Sequence, residues 1–353
     1  MRIKLVKRDK ESLAARIAVP MVSILLALLF GWIFLAVFGY QPEQIYIKMV
    51  YHSLGSKYAL SETVVKAIPL MVTSLGISVA FRMKLWNIGA EGQIYMGAFA
   101  ASGIALACGN WPAWILIPFM MLAAFIIGGL WGSIPGTLKA FGQVNETITS
   151  LLLNYVAIAW VGYLVFGPWK DPKAAGFPFA PRVSESASLP TFFGTRIHLG
   201  ILVALMLCGL LFMLFKYSKL GYEIKVIGES RIAAKYAGIK DKRNIVLVMF
   251  LSAGIAGIAG MLEVCGVTHR LQQGLSPGYG YTAIIIAWLA RLNPFNILLV
   301  AFLMAALLVG GFGVQSSGVP LANVTVIQGA ILLFLLAGDI FTKYRIEIVR
   351  TRK

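Results

Sequence analysis

Ile17 to Gly39 is an unbroken run of 23 residues without a charged side chain. As a helix it rises roughly 34 Å, more than the ~30 Å hydrocarbon core of a bilayer. The rest of the chain continues in the same style, 59% hydrophobic and 13% charged over 353 residues. A soluble core of that length cannot hide so much apolar surface, so lipid is the solvent this sequence requires. The basic stretch ahead of Ile17 looks like the start of a secretory signal. The apolar run is longer than the ~7–15 residues of a signal core and further spans follow it, which reads as an uncleaved anchor.

Apolar windows fall near 17–39, 64–81, 88–108, 112–138, 147–167, 198–215, 245–266, 277–292, 295–312 and 324–341. They predict an all-α integral membrane protein, a polytopic bundle of about ten transmembrane helices forming a single domain over 1–353. An even number of crossings puts both termini on one side. With that side cytoplasmic, inner segments hold 23 of the 31 Lys and Arg and outer segments seven, an asymmetry that fixes the orientation. Lys66 is left within a span, two residues from its outer end, where it reads as a side chain snorkelling to the interface. A net charge of +17 would suggest a nucleic-acid partner in a soluble protein. Here it marks the cytoplasmic membrane surface, and no nucleic acid is expected. Trp86, Trp111, Trp169, Tyr217 and Tyr344 lie at span ends, as amphipathic rings should.

The weakest window is 277–292. Its continuously apolar part, Ala283 to Ala290, is short and follows the breaker-rich Gly274 to Gly280, the pattern of a re-entrant or broken helix. Two hydrophilic segments stand apart. The extracytoplasmic loop 168–197 is rich in Pro, Ser and Gly, suited to a loop capped by or docked to an outer partner. The cytoplasmic loop 216–244 carries eight basic and three acidic residues and is too short for a catalytic domain.

Gly128, Gly132 and Gly136 recur every fourth residue, as do Ser252, Ala256 and Gly260; such rows are packing seams between membrane helices. The segment Lys84 to Gln93 brings Glu91 to the cytoplasmic end of the third span. A carboxylate at membrane depth must face protein or water. Glu91 either lines a polar path or sits in a first helical turn, where the macrodipole favours it. Asn145 or Thr147 can cap the fifth span, with Glu146 satisfying first-turn donors. Asn154 lies deeper and needs a partner, either a neighbouring helix or a hydroxylated solute. Glu263 poses the same question on the opposite side of the membrane. In the inner loop, Gly228 to Gly238 should form about two helical turns between glycines, either a mechanical handle or an amphipathic connector on the lipid surface.

No Gly-x4-Gly-Lys-Ser/Thr phosphate loop occurs, so ATP hydrolysis belongs to another chain if it occurs at all. His52, His198 and His269 are scattered over outer segments without ligand or relay spacing and read as interfacial residues. Cys108, Cys208 and Cys265 sit in apolar spans at unrelated spacing, which speaks against a disulfide frame or metal site. Catalytic residues, metals and cofactors are therefore not expected.

Four segments together resemble the permeases of ABC importers for branched-chain amino acids, ribose and nucleosides, above all the nucleoside and simple-sugar branch. They are Trp86 to Gln93; Val144 to Ile148 with Leu153-Asn-Tyr155; Ala256 to Glu263 followed by Gly278-Tyr-Gly-Tyr281 and Asn293-Pro294; and Gly228 to Ile239. The resemblance implies a permease subunit in the cytoplasmic membrane of a prokaryote, not an enzyme. It implies cytoplasmic ATPase subunits, a second and related permease chain, and an extracytoplasmic solute-binding protein or lipoprotein as partners. Gly228, Glu229, Arg231, Ala233, Ala234, Tyr236 and Gly238 fall in the family's ATPase-coupling segment. Asn87, Glu91, Gln93, Asn154 and Glu263 become the expected polar lining of a path for ribose-like hydroxyls. The chain departs from the branch at Trp288 and Ala290, where Leu and Gly are common, and a bulky indole there would alter which solute passes. The alternative is an ion-coupled secondary transporter of a small polar solute, which needs a titratable cluster near the midplane. An intramembrane enzyme lacks any catalytic constellation.

Overall fold

The computed structural model describes residues 2–7, 13–192, 194–316 and 318–349. Of the basic residues assigned above to the termini, Arg8, Lys10, Arg350, Arg352 and Lys353 lie outside the described residues. In chain order the elements are β1 (Arg2–Lys7), α1 (Leu13–Val37), α2 (Pro42–Leu54), α3 (Lys57–Arg82), α4 (Ala90–Ala107) and α5 (Ala113–Gly142). Then come α6 (Glu146–Phe166), α7 (Gly200–Tyr217), α8 (Lys219–Glu229), α9 (Arg231–Tyr236) and α10 (Asp241–Glu263). The chain ends with α11 (Tyr279–Leu289), α12 (Pro294–Gln315), α13 (Leu321–Lys343) and β2 (Tyr344–Val349).

Among the described residues, six helices are long and apolar enough to cross a membrane: α3, α5, α6, α7, α10 and α12. Shorter apolar stretches lie in α1, α11 and α13. Leu122, Leu130, Leu202, Met206 and Leu210 stand on helix exteriors, each about half exposed. An exposed leucine belt of this kind is unfavourable in water and at home among acyl chains.

The fold divides into two compact units, one of residues 1–59 and 306–353, the other of residues 60–305. In the first, α1 lies along α13 and α2 packs against α1; the Tyr46 hydroxyl donates to Leu28 O at 2.8 Å. Expectation had left 42–54 as an outer segment. Instead Ile45, Met49 and Ser53, each one turn from the last, make a buried stripe that folds it as α2. An antiparallel ribbon of β1 and β2 is the other addition to the helical expectation, with Ile3 opposite Ile348 and Lys4 opposite Glu347.

In the second unit, α10 is the central post, packed against α5 and α4. The glycine row of α5 meets it closely: a Cβ on Gly128 would strike Ala253 O, and one on Gly136 the Met249 side chain. Without a hydrophobic force between helices in lipid, such backbone approach supplies the cohesion. Asn145 caps α6, its Oδ1 accepting from Thr147 N at 2.9 Å. Glu146, expected to serve first-turn donors, instead pairs with Lys139 at 2.7 Å across the α5–α6 turn.

Beyond α10 the backbone widens into a π turn over Val264–Thr268, and His269 takes a left-handed conformation at φ 53°. The loop before α7 folds back onto this end of its own unit. Ala180 N donates to Leu271 O, Val183 N to His269 O and Leu189 N to Cys265 O, all at 2.9 Å. His198, expected at an interface, is instead fully buried beneath that cover. Its Nδ1 accepts from Gly200 N at 3.2 Å, so the neutral ring carries its proton on Nε2.

Burial first, then His269 and Arg196 nearby, lower the His198 pKa to about 4. The unfolded chain protonates this ring near pH ~6.5 and so binds more protons between the two values. Stability contributed by neutral His198 should be complete above pH ~6.5 and drain away as pH falls toward 4, by roughly 3 kcal/mol in total. His198→Gln should flatten that decline in thermal midpoints followed from pH 7.5 to 4.5 in detergent. Parallel curves for the two proteins would remove His198 as the cause.

Candidate functional site

The loop between α3 and α4 carries the first polar group into the bundle. Asn87 and Gln93 form a mutual amide pair: Asn87 Nδ2 donates to Gln93 Oε1 at 3.0 Å, and Gln93 Nε2 to Asn87 Oδ1 at 2.8 Å. Asn87 also donates to Ser252 Oγ of α10 at 3.0 Å. From α6, Asn154 reaches the same loop, accepting from Gly92 N at 2.8 Å and donating to Ile88 O at 2.9 Å. A weaker bond at 3.3 Å runs from Asn154 to the Tyr281 hydroxyl. In this conformation Asn154 therefore bonds to neighbouring elements.

Glu91 occupies the first turn of α4, and its carboxylate also meets a second helix start. Oε2 accepts from Gly280 N at 2.7 Å, in the opening turn of α11. Two helix N-termini therefore face one buried carboxylate, and their partial positive charges offset its lost hydration. The α11 helix has 11 residues, about 16 Å, and is entered through Gly278 at φ 92°. The preceding non-helical segment leaves the His269 end, and beyond α11 the Leu292 carbonyl accepts from Arg82 Nη2 at 2.7 Å at the other end of α3. The expected window 277–292 is thus a short helix entered from a non-helical segment, and it starts against the buried Glu91.

Glu263 stands apart from the other four expected residues, linked through α11. Its Oε1 pairs with Lys66 Nζ at 3.3 Å, and Lys66 donates to the Tyr279 hydroxyl at 2.9 Å. Lys66 was expected to snorkel outward. A buried carboxylate within reach outcompetes the interface, and the ammonium turns inward. Asn87, Glu91, Gln93, Asn154 and Glu263 are all at most 3% exposed, so in this conformation they hold helices to one another. Sequence reasoning missed Lys66, Ser252, Tyr279 and Tyr281 as members of this seam. The two tyrosines lay in the Gly278-Tyr-Gly-Tyr281 motif and were the available signal. Beside the seam, Phe81, Trp86 and Trp288 gather with ring centroids 5.2–6.0 Å apart.

Residues 59–336 match the family model described as the permease component of the branched-chain amino acid transport system. The chain belongs to that permease family. The permease is 35% identical to a glucose ABC transporter permease protein of Haloferax volcanii, over 95% of this chain and 90% of the relative. It is 32% identical to a guanosine ABC transporter permease protein of Bacillus subtilis, covering 92% and 94% of the two chains. A nucleoside ABC transporter permease protein of Lactococcus lactis is 28% identical, over 95% and 93%. These similarities place the permease in the nucleoside and simple-sugar branch. It is a multi-pass membrane protein and a transport component, not an enzyme.

The loop 216–244 of the permease folds differently from expectation in one respect. Gly228 and Glu229 close α8, and Ser230 ends it and starts α9, its Oγ accepting from Ala233 N at 3.2 Å. Gly228 is buried so tightly that a Cβ there would strike Arg82 O. The separate helix is therefore Arg231 to Tyr236, shorter than the two turns between glycines, with Gly238 at φ 72° ending it. Ala234 is buried, whereas Ile232 is 70% and Tyr236 90% exposed. Arg231 and Ala233 share that exposed side.

Proposed function

We propose that the permease is the membrane subunit of an ATP-driven importer for a nucleoside or simple sugar. The observation that carries the coupling is α9, a single short helix that presents a nearly bare tyrosine and isoleucine from an otherwise charged loop. Large apolar side chains held out in this way are contact anchors for a partner protein. Cytoplasmic ATPase subunits are that partner. Arg231, Ala233, Ala234, Tyr236 and Gly238 form the handle, while Gly228 and Glu229 transmit its displacement through α8 to the end of α3.

On this reading the chain acts as one permease domain crossing the cytoplasmic membrane of a prokaryote ten times, with both termini in the cytoplasm. Lys and Arg counts support the orientation. A second, related permease completes the passage, and a solute-binding protein or lipoprotein delivers solute at 168–197. Asn87, Glu91, Gln93, Asn154 and Glu263 are the path-lining residues. Their present bonds close the path, and tilting of the bundle exposes the same amides and carboxylates to sugar hydroxyls. The 3.3 Å Asn154–Tyr281 bond is the longest of those between neutral groups and the first to exchange. Glucose and guanosine, named for the relatives, share such hydroxyls.

Uptake of radiolabelled guanosine and glucose by vesicles containing the complete transporter tests this. Uptake should require ATP, fall at least tenfold in Tyr236→Ala with Ile232→Ala, and fall in Asn154→Leu. Uptake that persists without the ATPase subunits, driven by an ion gradient, would sink the importer reading.

A further inference from the structure

A groove of about 630 Å³ runs along the outside of α5 and α10. Lys240, Lys242 and Arg243 line one end together with Phe141, and Val246, Leu247 and Phe250 line the rest. The two helices are antiparallel here, Gly136 facing Val246 and Gly129 facing Phe250, so the groove proceeds from cations to apolar rings over about two turns. None of the three cations has a carboxylate within ion-pair distance among the described residues, and Asp241 does not line the groove. Lys242 rests 5.3 Å over the Phe141 ring, which aims one ammonium across the mouth. The α10 N-terminus adds its own positive end.

We infer that this groove binds an anionic phospholipid, with its phosphate among Lys240, Lys242 and Arg243 and an acyl chain along Phe141, Val246 and Phe250. The fit is that of an amphiphile: a negative head and an apolar tail, in that order along one track. A soluble anion would satisfy only the mouth, and a neutral lipid only the track. Leu130, Ile134 and Leu138, on the stretch of α5 that lines the groove, are exposed apolar side chains, so in the proposed membrane placement the ligand is present at high local concentration. The inference rests on membrane placement and is independent of the proposed solute and of the pathway residues.

Native mass spectrometry of the complete, delipidated transporter titrated with phosphatidylglycerol or with phosphatidylcholine of the same chains tests it. The wild type should retain phosphatidylglycerol at least tenfold more tightly than phosphatidylcholine. K240Q/K242Q/R243Q should weaken phosphatidylglycerol about 100-fold, the effect of three surface cations at about 1 kcal/mol each, and leave phosphatidylcholine unchanged. Thr137→Trp fills the groove without touching a charge, and should weaken the lipid even if the triple variant is unstable. Equal retention of the two lipids, or full displacement by millimolar glycerol phosphate, overturns the inference. So does a triple variant that sheds its ATPase subunits while keeping phosphatidylglycerol.

Discussion

Gly257→Leu should cost the permease about 3 kcal/mol or more and leave little monodisperse protein after extraction in detergent. Three helices meet at this residue. A Cβ on Gly257 would strike Ala124 O of α5, and one on Gly97 of α4 would strike the Gly257 backbone itself. Gly128 closes the triangle, its Cβ position running into Gly257 Cα. Every atom in the way is main chain, so no rotamer change can make room and whole helices must separate. Separation forfeits the dispersion contacts that hold helices together in lipid. Gly209→Leu is the matched control, since a Cβ there meets nothing within 4 Å. It should stay within about 0.5 kcal/mol of wild type. Fluorescence-detected thermal unfolding of both proteins decides the matter, and equal midpoints would show that the seam tolerates volume.

Lys66→Met should destabilise the permease by about 3 kcal/mol, more than Glu263→Gln, and the double variant should recover most of the loss. Lys66 is 26% exposed at its side chain and Glu263 2%, so the two ends of the pair differ in their access to water. Removing the ammonium strands a carboxylate whose Oε2 already lacks a hydrogen-bond partner among the described residues. Removing the carboxylate leaves an ammonium that still holds Tyr279 and reaches water. A double-mutant cycle of K66M and E263Q should give a coupling energy of about 2 kcal/mol. Additive effects would mean that the two charges do not sense one another. Because Tyr279 opens α11, loss of Lys66 should also loosen this helix, detectable as faster amide exchange over 271–280.

All ten apolar windows contain helix, and six of those helices are long and apolar enough to cross a membrane among the described residues, because mean hydropathy over several turns is what composition alone reports. Elements whose stability depends on a narrow stripe were hidden. In α2 one residue per turn is buried, and Lys48, Glu43 and His52 between them read as loop. In α8, Lys219, Glu223 and Lys225 obscured a helix that Ser218 caps. The five residues expected to line a path are all buried polar groups, and apart from the Asn87–Gln93 pair their partners lie far along the chain. Lys66 and Glu263 are 197 positions apart, and Asn87 and Ser252 165. Nothing local signals such a meeting, and so the sequence reads Lys66 and His198 as interfacial.

Pairing of β1 with β2 agrees with the proposed topology, in which an even number of crossings leaves both strands on one side of the membrane. On that proposal the strands at the two ends of the path through the membrane are stitched edge to edge in one compartment. One reporter fused at either extremity would then report the compartment of both, and a truncation that removes a single crossing would have to tear the ribbon apart.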